Sequence, residues 1–270
     1  MTVKPSPISA YMITFNNART VERALSSVAG WVDEIVVVDS YSTDDTPAIA
    51  KKYAGTFLQR PWPGFRDQYQ FAAEQCRNDW ILFIDADEEI SPALATEIQE
   101  EIRRNLDRPP AERIEGYYGH RRTWFLGRWI LHGGWRPDRE IRLYNRNNGS
   151  WTGDLHAKVD VQGRTAHLRH FYYHYTYAGI SDQLQTIDKY STIAGGDMHR
   201  AGRRFSAIRL LTSPPARFLR DYFLKLGFLD GFPGFIIAVN TAFHVFTKHA
   251  KLWEMERSPP SFPPDDWPCP

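Results

Sequence analysis

The sequence predicts an α/β protein: a mostly parallel sheet flanked by helices, followed by a helical C-terminal extension. Three observations carry this. Short apolar runs rich in β-branched and aromatic residues, Ile8–Thr14, Ile35–Val38 and Trp80–Ile84, read as strands buried on both faces of a sheet. Segments of helical length separate them, so strand and helix alternate through the first 105 residues. Beyond Asn105 the chain turns rich in aromatics, Gly, His and Arg, and after Ser181 it becomes a series of long apolar and basic stretches.

The elements follow in order. Ile8–Thr14 is the first strand, and the polar turn Phe15-Asn16-Asn17 leads into a helix over Arg19–Val28. Ile35–Val38 closes on Asp39, after which Ser42-Thr43-Asp44-Asp45 meets the Ser-x-x-acid capping signature and opens a helix through Tyr53. Thr56–Gln59 is a short strand and Phe65–Cys76 a third helix. The strand of Trp80–Ile84 runs into Asp85-Ala86-Asp87-Glu88-Glu89, and Ser91-Pro92 supplies the N-cap and first residue of a further helix. Gly116–Tyr118, Ile141–Tyr144 and Lys158–Val161 read as short strands, with turns at Asn147–Gly149 and Gln162–Arg164.

Ser181–Ala194 is helical, and Arg217–Leu229 and Gly234–Lys251 carry apolar residues with Lys and Arg between them. Neither apolar run reaches the roughly 20 residues of a spanning helix. These helices are expected to lie in a membrane interface with their cations toward anionic headgroups, or else to pack as a pair on the preceding domain. The division expected is a nucleotide-binding half over 1–105, an acceptor half over 106–180, a helical membrane-associating region over 181–256 and a Pro-rich disordered tail over 257–270.

Composition excludes some classes. A net charge of +1 gives no overall signal for nucleic acid. Cys76 and Cys269 are the only cysteines and lie far apart, so a reducing, cytosolic setting is expected rather than a disulfide framework. Met1–Pro7 lacks the apolar core of a signal peptide, and no export is expected. Neither Gly-x-Gly-x-x-Gly nor Gly-x-x-x-x-Gly-Lys-Ser/Thr occurs, so any nucleotide is held by other means.

The acids after the Trp80–Ile84 strand are the strongest chemical signal. Four carboxylates within five residues repel one another unless a cation is present, and alternation along a strand lets Asp85 and Asp87 project the same way. Mg²⁺ or Mn²⁺, held by these two carboxylates and completed by a diphosphate and water, is the expected cation. The alternative is that the acids only cap the next helix. Asp39, at a strand end where open α/β sheets bind ligands, can accept hydrogen bonds from a nucleoside, or with Asp44 can stabilise its own turn.

Thr14-Phe15-Asn16-Asn17, Val36-Val37-Val38-Asp39-Ser40 with Ser42-Thr43-Asp44-Asp45-Thr46, and Ile84-Asp85-Ala86-Asp87-Glu88 together resemble the family 2 glycosyltransferases of GT-A fold in order and spacing. The resemblance implies a UDP-linked sugar donor, a divalent metal at Asp85 and Asp87, and inversion at the anomeric carbon. It also implies that Asp39 meets the uracil or ribose and that Thr14 and Asn16 line the nucleoside pocket. Gly133-Gly134-Trp135-Arg136-Pro137-Asp138 with Arg142-Leu143, and the block from Pro214-Pro215 to Gly231, resemble the subgroup of lipopolysaccharide core β-glucosyltransferases.

An inverting transfer needs a base for the acceptor hydroxyl. Asp138 falls where the subgroup's acid-containing loop would lie and is the first choice, unless it only pairs with Arg136 or Arg139. Trp151-Thr152-Gly153-Asp154-Leu155-His156 resembles a second block of the subgroup, which more often has Glu where this chain has Ala157; Asp154 is the second choice. His156 is placed near the diphosphate or metal, and Arg139, Arg142 and Arg146 are candidates for neutralising the leaving UDP. His167, His170 and His174 match no standard zinc spacing.

The expectation is therefore a metal-dependent inverting glycosyltransferase, peripheral on the inner face of the cytoplasmic membrane. It would move a hexose, glucose first, from UDP to a lipopolysaccharide-core or other lipid-linked glycan. The alternatives are a nucleotidyltransferase and a catalytically silent sugar-binding scaffold.

Overall fold

The computed structural model describes residues 7–136, 138–153 and 157–257. Its elements run β1 (Ile8–Thr14), α1 (Val21–Ala29), β2 (Glu34–Asp39), α2 (Thr46–Ala50), β3 (Thr56–Gln59), α3 (Phe65–Glu74), β4 (Trp80–Phe83), β5 (Glu88–Ile90) and α4 (Pro92–Leu106). Then come β6 (Ile114–Phe125), β7 (Arg128–Ile130), β8 (Arg139–Asn145), β9 (Gly149–Thr152), β10 (Lys158–Val161) and β11 (Arg164–His174). The chain closes with α5 (Ile180–Arg200), α6 (Ala207–Leu219), a π turn over Arg220–Leu224, a 3-10 turn over Gly227–Asp230, and α7 (Gly231–Arg257). The described residues divide into two compact units, one within 1–124 and 137–176, the other within 125–136 and 177–270.

The first unit is a sheet covered on both faces. Its strands follow the order β3-β2-β1-β4-β8-β6-β11-β5. The first four are mutually parallel, as the alternating pattern predicts. The second half of this unit departs from a parallel sheet: β8 runs antiparallel to both β4 and β6, β11 is parallel to β6, and β5 is antiparallel to β11. Period-two alternation sorts the core into two layers. Ile8, Ala10, Met12, Ile35, Val37, Trp80 and Leu82 face α1 and α4, burying Val21, Leu25, Leu94 and Ile98. Tyr11, Val36, Val38, Ile81 and Phe83 face the other way, onto Tyr69 and Ala72 of α3 and onto Trp151.

Ser91 caps α4, its Oγ accepting from Leu94 N at 3.2 Å, as read from the sequence. The capping signature at Ser42 does not form. Asp45 is the N-cap of α2 without a side-chain bond, because Ser42 turns back to Asp39 while Asp44 accepts from Thr46 N at 3.0 Å.

In the second unit α7 packs against α5 and α6. Phe125–Arg136, expected in the acceptor half, clusters here instead: Asp230, fully buried, accepts from Leu131 N at 3.0 Å and His132 N at 2.7 Å. Pro214 and Pro215 sit inside α6 rather than before a helix, so the expected helix start at Arg217 is corrected to Ala207. Helical Gly227–Arg257 is long and apolar enough to cross a membrane by length and composition. The polar Asn240, His244 and Lys248 interrupt the apolar run but not the helix.

Candidate active site

The parallel register brings two strand ends together, pairing Thr14 with Asp39. Asp39 is fully enclosed. Its carboxylate accepts from Thr14 Oγ1 at 2.9 Å, Ser42 N at 2.9 Å, Ser42 Oγ at 2.5 Å and Gln59 Nε2 at 3.1 Å. Four donors use the capacity of a carboxylate, so in this conformation Asp39 orders the loop above it rather than presenting an oxygen to a ligand.

Asn16 is exposed and left-handed at φ 54°, a conformation Asn tolerates. Its N donates to Ser42 Oγ at 2.8 Å and its Oδ1 accepts from Thr43 N at 2.9 Å. Asp44 accepts from Ala18 N and Thr46 N, both at 3.0 Å. Desolvation would raise its pKa, but these hydrogen bonds hold it below the ordinary carboxylate range. Thr14, Asn16, Asp39 and Asp44 thus form one bonded rim joining the ends of β1 and β2.

The acids after β4 follow a different plan from the one alternation predicts. β4 ends at Phe83, so the strand geometry does not carry through to Asp87, and the two aspartates take different partners. Asp85 accepts from Tyr69 Oη at 2.9 Å and from Arg142 at 3.1 and 3.2 Å. Asp87 lies 3.3 Å from His174 Nε2 at the end of β11.

The cations that offset the acidic run are therefore in large part arginines. Arg142, 1% exposed, also holds Glu88 at 2.7 Å and Glu140 at 3.1 Å, with its guanidinium 4.3 Å over the Phe83 ring. Enclosed in this way, it anchors Asp85 and Glu88. Arg121 grips Asp138 with both edges of its fork, at 2.7 and 2.8 Å, and reaches Glu140 at 2.9 Å and Glu88 at 3.5 Å. Asp138 thus pairs with Arg121.

Four carboxylates, Asp85, Glu88, Asp138 and Glu140, share two guanidiniums. Burial first, and then the Asp85 charge, push Glu88 up to about 7 against the opposing arginines. Burial and Asp85 likewise raise Tyr69 well above its ordinary value, keeping it the donor of its bond to Asp85. Asp87 behaves differently. Burial would raise it, but the bond and charge of His174 and the charge of Arg121 hold it below the ordinary range. His174, whose burial would lower it, is raised by the same pairing with Asp87.

Among the described residues no group of three or more His, Cys, Asp or Glu side chains is arranged to hold a metal. Asp87 and His174 are nevertheless a two-donor set, with the Asp87 side chain 28% exposed beside an excess of carboxylate charge. One or two carboxylates plus substrate phosphates is the usual complement for Mg²⁺, and Mn²⁺ also accepts an imidazole, so Asp87 fits such an ion and His174 joins it on losing its proton to the ion's charge; Asp85, already shared by Tyr69 and Arg142, fits less well. The three histidines of β11 do not converge: His170 bonds Glu97 at 2.9 Å and His167 stacks on Tyr118 at 4.9 Å. Asp154 and His156 lie outside the described residues.

Sequence reasoning missed Tyr69, Glu88, Arg121 and the pairing of His174 with Asp87. Trp151 belongs to the same assembly: it stacks on Tyr69 at 4.3 Å, and its Nε1 donates to Tyr11 Oη at 2.8 Å. Arg142, a charge between the apolar Ile141 and Leu143, was the legible signal.

Fold and strand-end acids define a transferase of the GT-A type. The chain belongs to glycosyl transferase family 2, whose family model matches residues 9–158, and it is a glycosyltransferase. It is 35% identical over 258 residues to an uncharacterised glycosyltransferase of Rickettsia felis, covering 92% of this chain and 89% of the relative. It is 31% identical over 260 residues to the lipopolysaccharide core biosynthesis glycosyltransferase LpsC of Rhizobium meliloti, covering 92% of each. Residues 1–349 of S. aureus TarS are a structural neighbour with TM-score 0.46 and 12% identity, over 95% of this chain and 93% of that one.

Proposed function

We propose that this glycosyltransferase moves a hexose, glucose first, from a UDP-sugar to a lipopolysaccharide-core or other lipid-linked glycan, with inversion and with Mg²⁺ or Mn²⁺, at the cytoplasmic face of the membrane. The observation that carries the reading is the partly open Asp87–His174 pair beside an excess of carboxylates at the C-terminal end of the parallel strands. The acceptor class draws its support from the likeness to LpsC.

Asp87 and His174 would hold the ion, which when bound supplies Lewis-acid neutralisation of the departing diphosphate. The rim of Thr14, Asn16, Asp39 and Asp44 would receive the nucleoside, with Asp39 acting through the loop it orders. Asp138 would take the acceptor hydroxyl's proton while the Arg121 fork fixes its carboxylate. The acceptor oxygen then bonds the anomeric carbon on the face opposite the breaking bond, and UDP leaves with the electron pair. Asp154 is the alternative base.

UDP release from UDP-glucose with a core oligosaccharide acceptor tests this. Release should require Mn²⁺ or Mg²⁺, and Asp138→Asn should abolish it while still binding UDP-glucose. Undiminished release in EDTA would sink the metal requirement, and full activity of Asp138→Asn would pass the base's role to Asp154.

A further inference from the structure

Helix α6 has no buried residue. Its most exposed side chains include Ile208, at 75%, and Leu211, at 72%, and Leu219 lies at helical spacing from them on the outward side. The apolar exposure continues through the π turn, where Leu224 is 80% exposed, and along α7, where Phe232 and Phe243 are eleven residues apart on one outward face. Soluble monomers rarely keep so continuous an apolar surface in water.

Cations gather beside it. Among the described residues Arg203, Arg209 and Lys248 have no acidic partner, while Arg217 is held by Asp221 at 2.6 Å. Burial, then the charges of Arg217 and Arg203, hold the Lys248 ammonium below its ordinary value. Burial and then the charges of Lys248 and Arg209 do the same to His249. His244 Nε2 is buried without a hydrogen-bond partner among the described residues. Cations set against one another without a carboxylate cost free energy that an outside anion would relieve.

We propose that α6, the turns after it and α7 form a bilayer-docking face. Its apolar side chains enter the boundary between headgroups and acyl chains, while Arg203, Arg209 and Lys248 hold the phosphate of an anionic phospholipid. A second copy of the chain fits less well, since a two-fold contact would set these cations against their own equivalents. Nor does α7 span the bilayer. It is tied to polar α5 by Asn240 Nδ2 to Gln183 Oε1 at 2.6 Å and Lys251 Nζ to Asp188 Oδ1 at 2.6 Å, so insertion would draw charged groups into hydrocarbon. Lying in the interface keeps both faces satisfied. The inference rests on the proposed membrane site of action and narrows it to one surface and one lipid chemistry.

The test is sedimentation of the full chain with vesicles of phosphatidylcholine alone or with phosphatidylglycerol. UDP-glucose binding is measured on the same samples, so that loss of one reading is visible apart from the other. Wild type should prefer the anionic vesicles by on the order of tenfold or more. Arg209→Ala with Lys248→Ala should lose that preference, Leu211→Glu should weaken binding to both vesicles, and all variants should bind UDP-glucose equally. Inorganic phosphate should not displace the protein. Equal binding of wild type to both vesicles, no binding to either, displacement by phosphate, or a dimer broken by Leu211→Glu would each overturn the proposal.

Discussion

Arg142 shows how a single residue holds the site together. It is enclosed by Asp85, Glu88 and Glu140, so replacing it leaves buried carboxylates without their counter-ion. Arg142→Met should destabilise the fold by about 3–5 kcal/mol, read by urea unfolding; a change under about 1 kcal/mol would mean that Arg121 and water compensate. Glu88 makes a pH-dependent contribution. Its folded pKa, about 7, lies above the ordinary carboxylate range, so the folded state binds the extra proton. That stability is fully present below the unfolded pKa and is lost as pH rises through about 7. Thermal unfolding in EDTA at pH 5 and pH 8 should therefore show a smaller loss for Glu88→Gln than for wild type. Cys76, 2% exposed and pushed up to about 12 chiefly by burial, should resist alkylation at pH 8 until the protein unfolds, measured in a Cys269→Ser background.

At the scale of elements, the first sheet half was legible because burial on both faces leaves an uninterrupted apolar run and little else that such a run can be. Ile8–Thr14 and the Ile35–Val38 core of β2 were read with correct strand identity for that reason; Thr56–Gln59 was read correctly too, although it is a half-buried edge strand. The second half was less so. β6 carries Arg121 and β8 carries Arg142, charges that mask a buried strand until their partners, Asp85 in the turn after β4 and Glu88 on β5, are seen. Glu88–Ile90 read as a helix approach and is a strand, because its pairing with β11 is contributed from more than 80 residues away. Ser42 shows a related limit: its capping signature yields to a bond with Asp39, three residues back, while its Oγ accepts from Asn16 N, 26 residues away. Gly119 is a further element-scale constraint, since a Cβ there would lie 2.0 Å from the Tyr172 ring. Gly119→Ala should cost about 1–3 kcal/mol, and Tyr172→Leu in the same chain should recover part of it.

For the whole molecule, the acidic run in the sequence marks the active region but not its wiring. Spacing alone makes Asp85 and Asp87 equivalent ligands; in the fold one is bound to Arg142 and Tyr69 and the other to His174. The central claim is that the Asp87 side binds a divalent ion together with a nucleotide-sugar diphosphate. Calorimetric titration of a UDP-sugar panel, with and without Mn²⁺, into wild type, Asp87→Ala and His174→Ala tests it most directly. The account predicts Mn²⁺-dependent binding of one UDP-sugar, weakened at least about 100-fold in both variants, the several kcal/mol expected for a lost ligand on a phosphate-bridging ion. Binding that ignores Mn²⁺, or that survives in both variants, would contradict it.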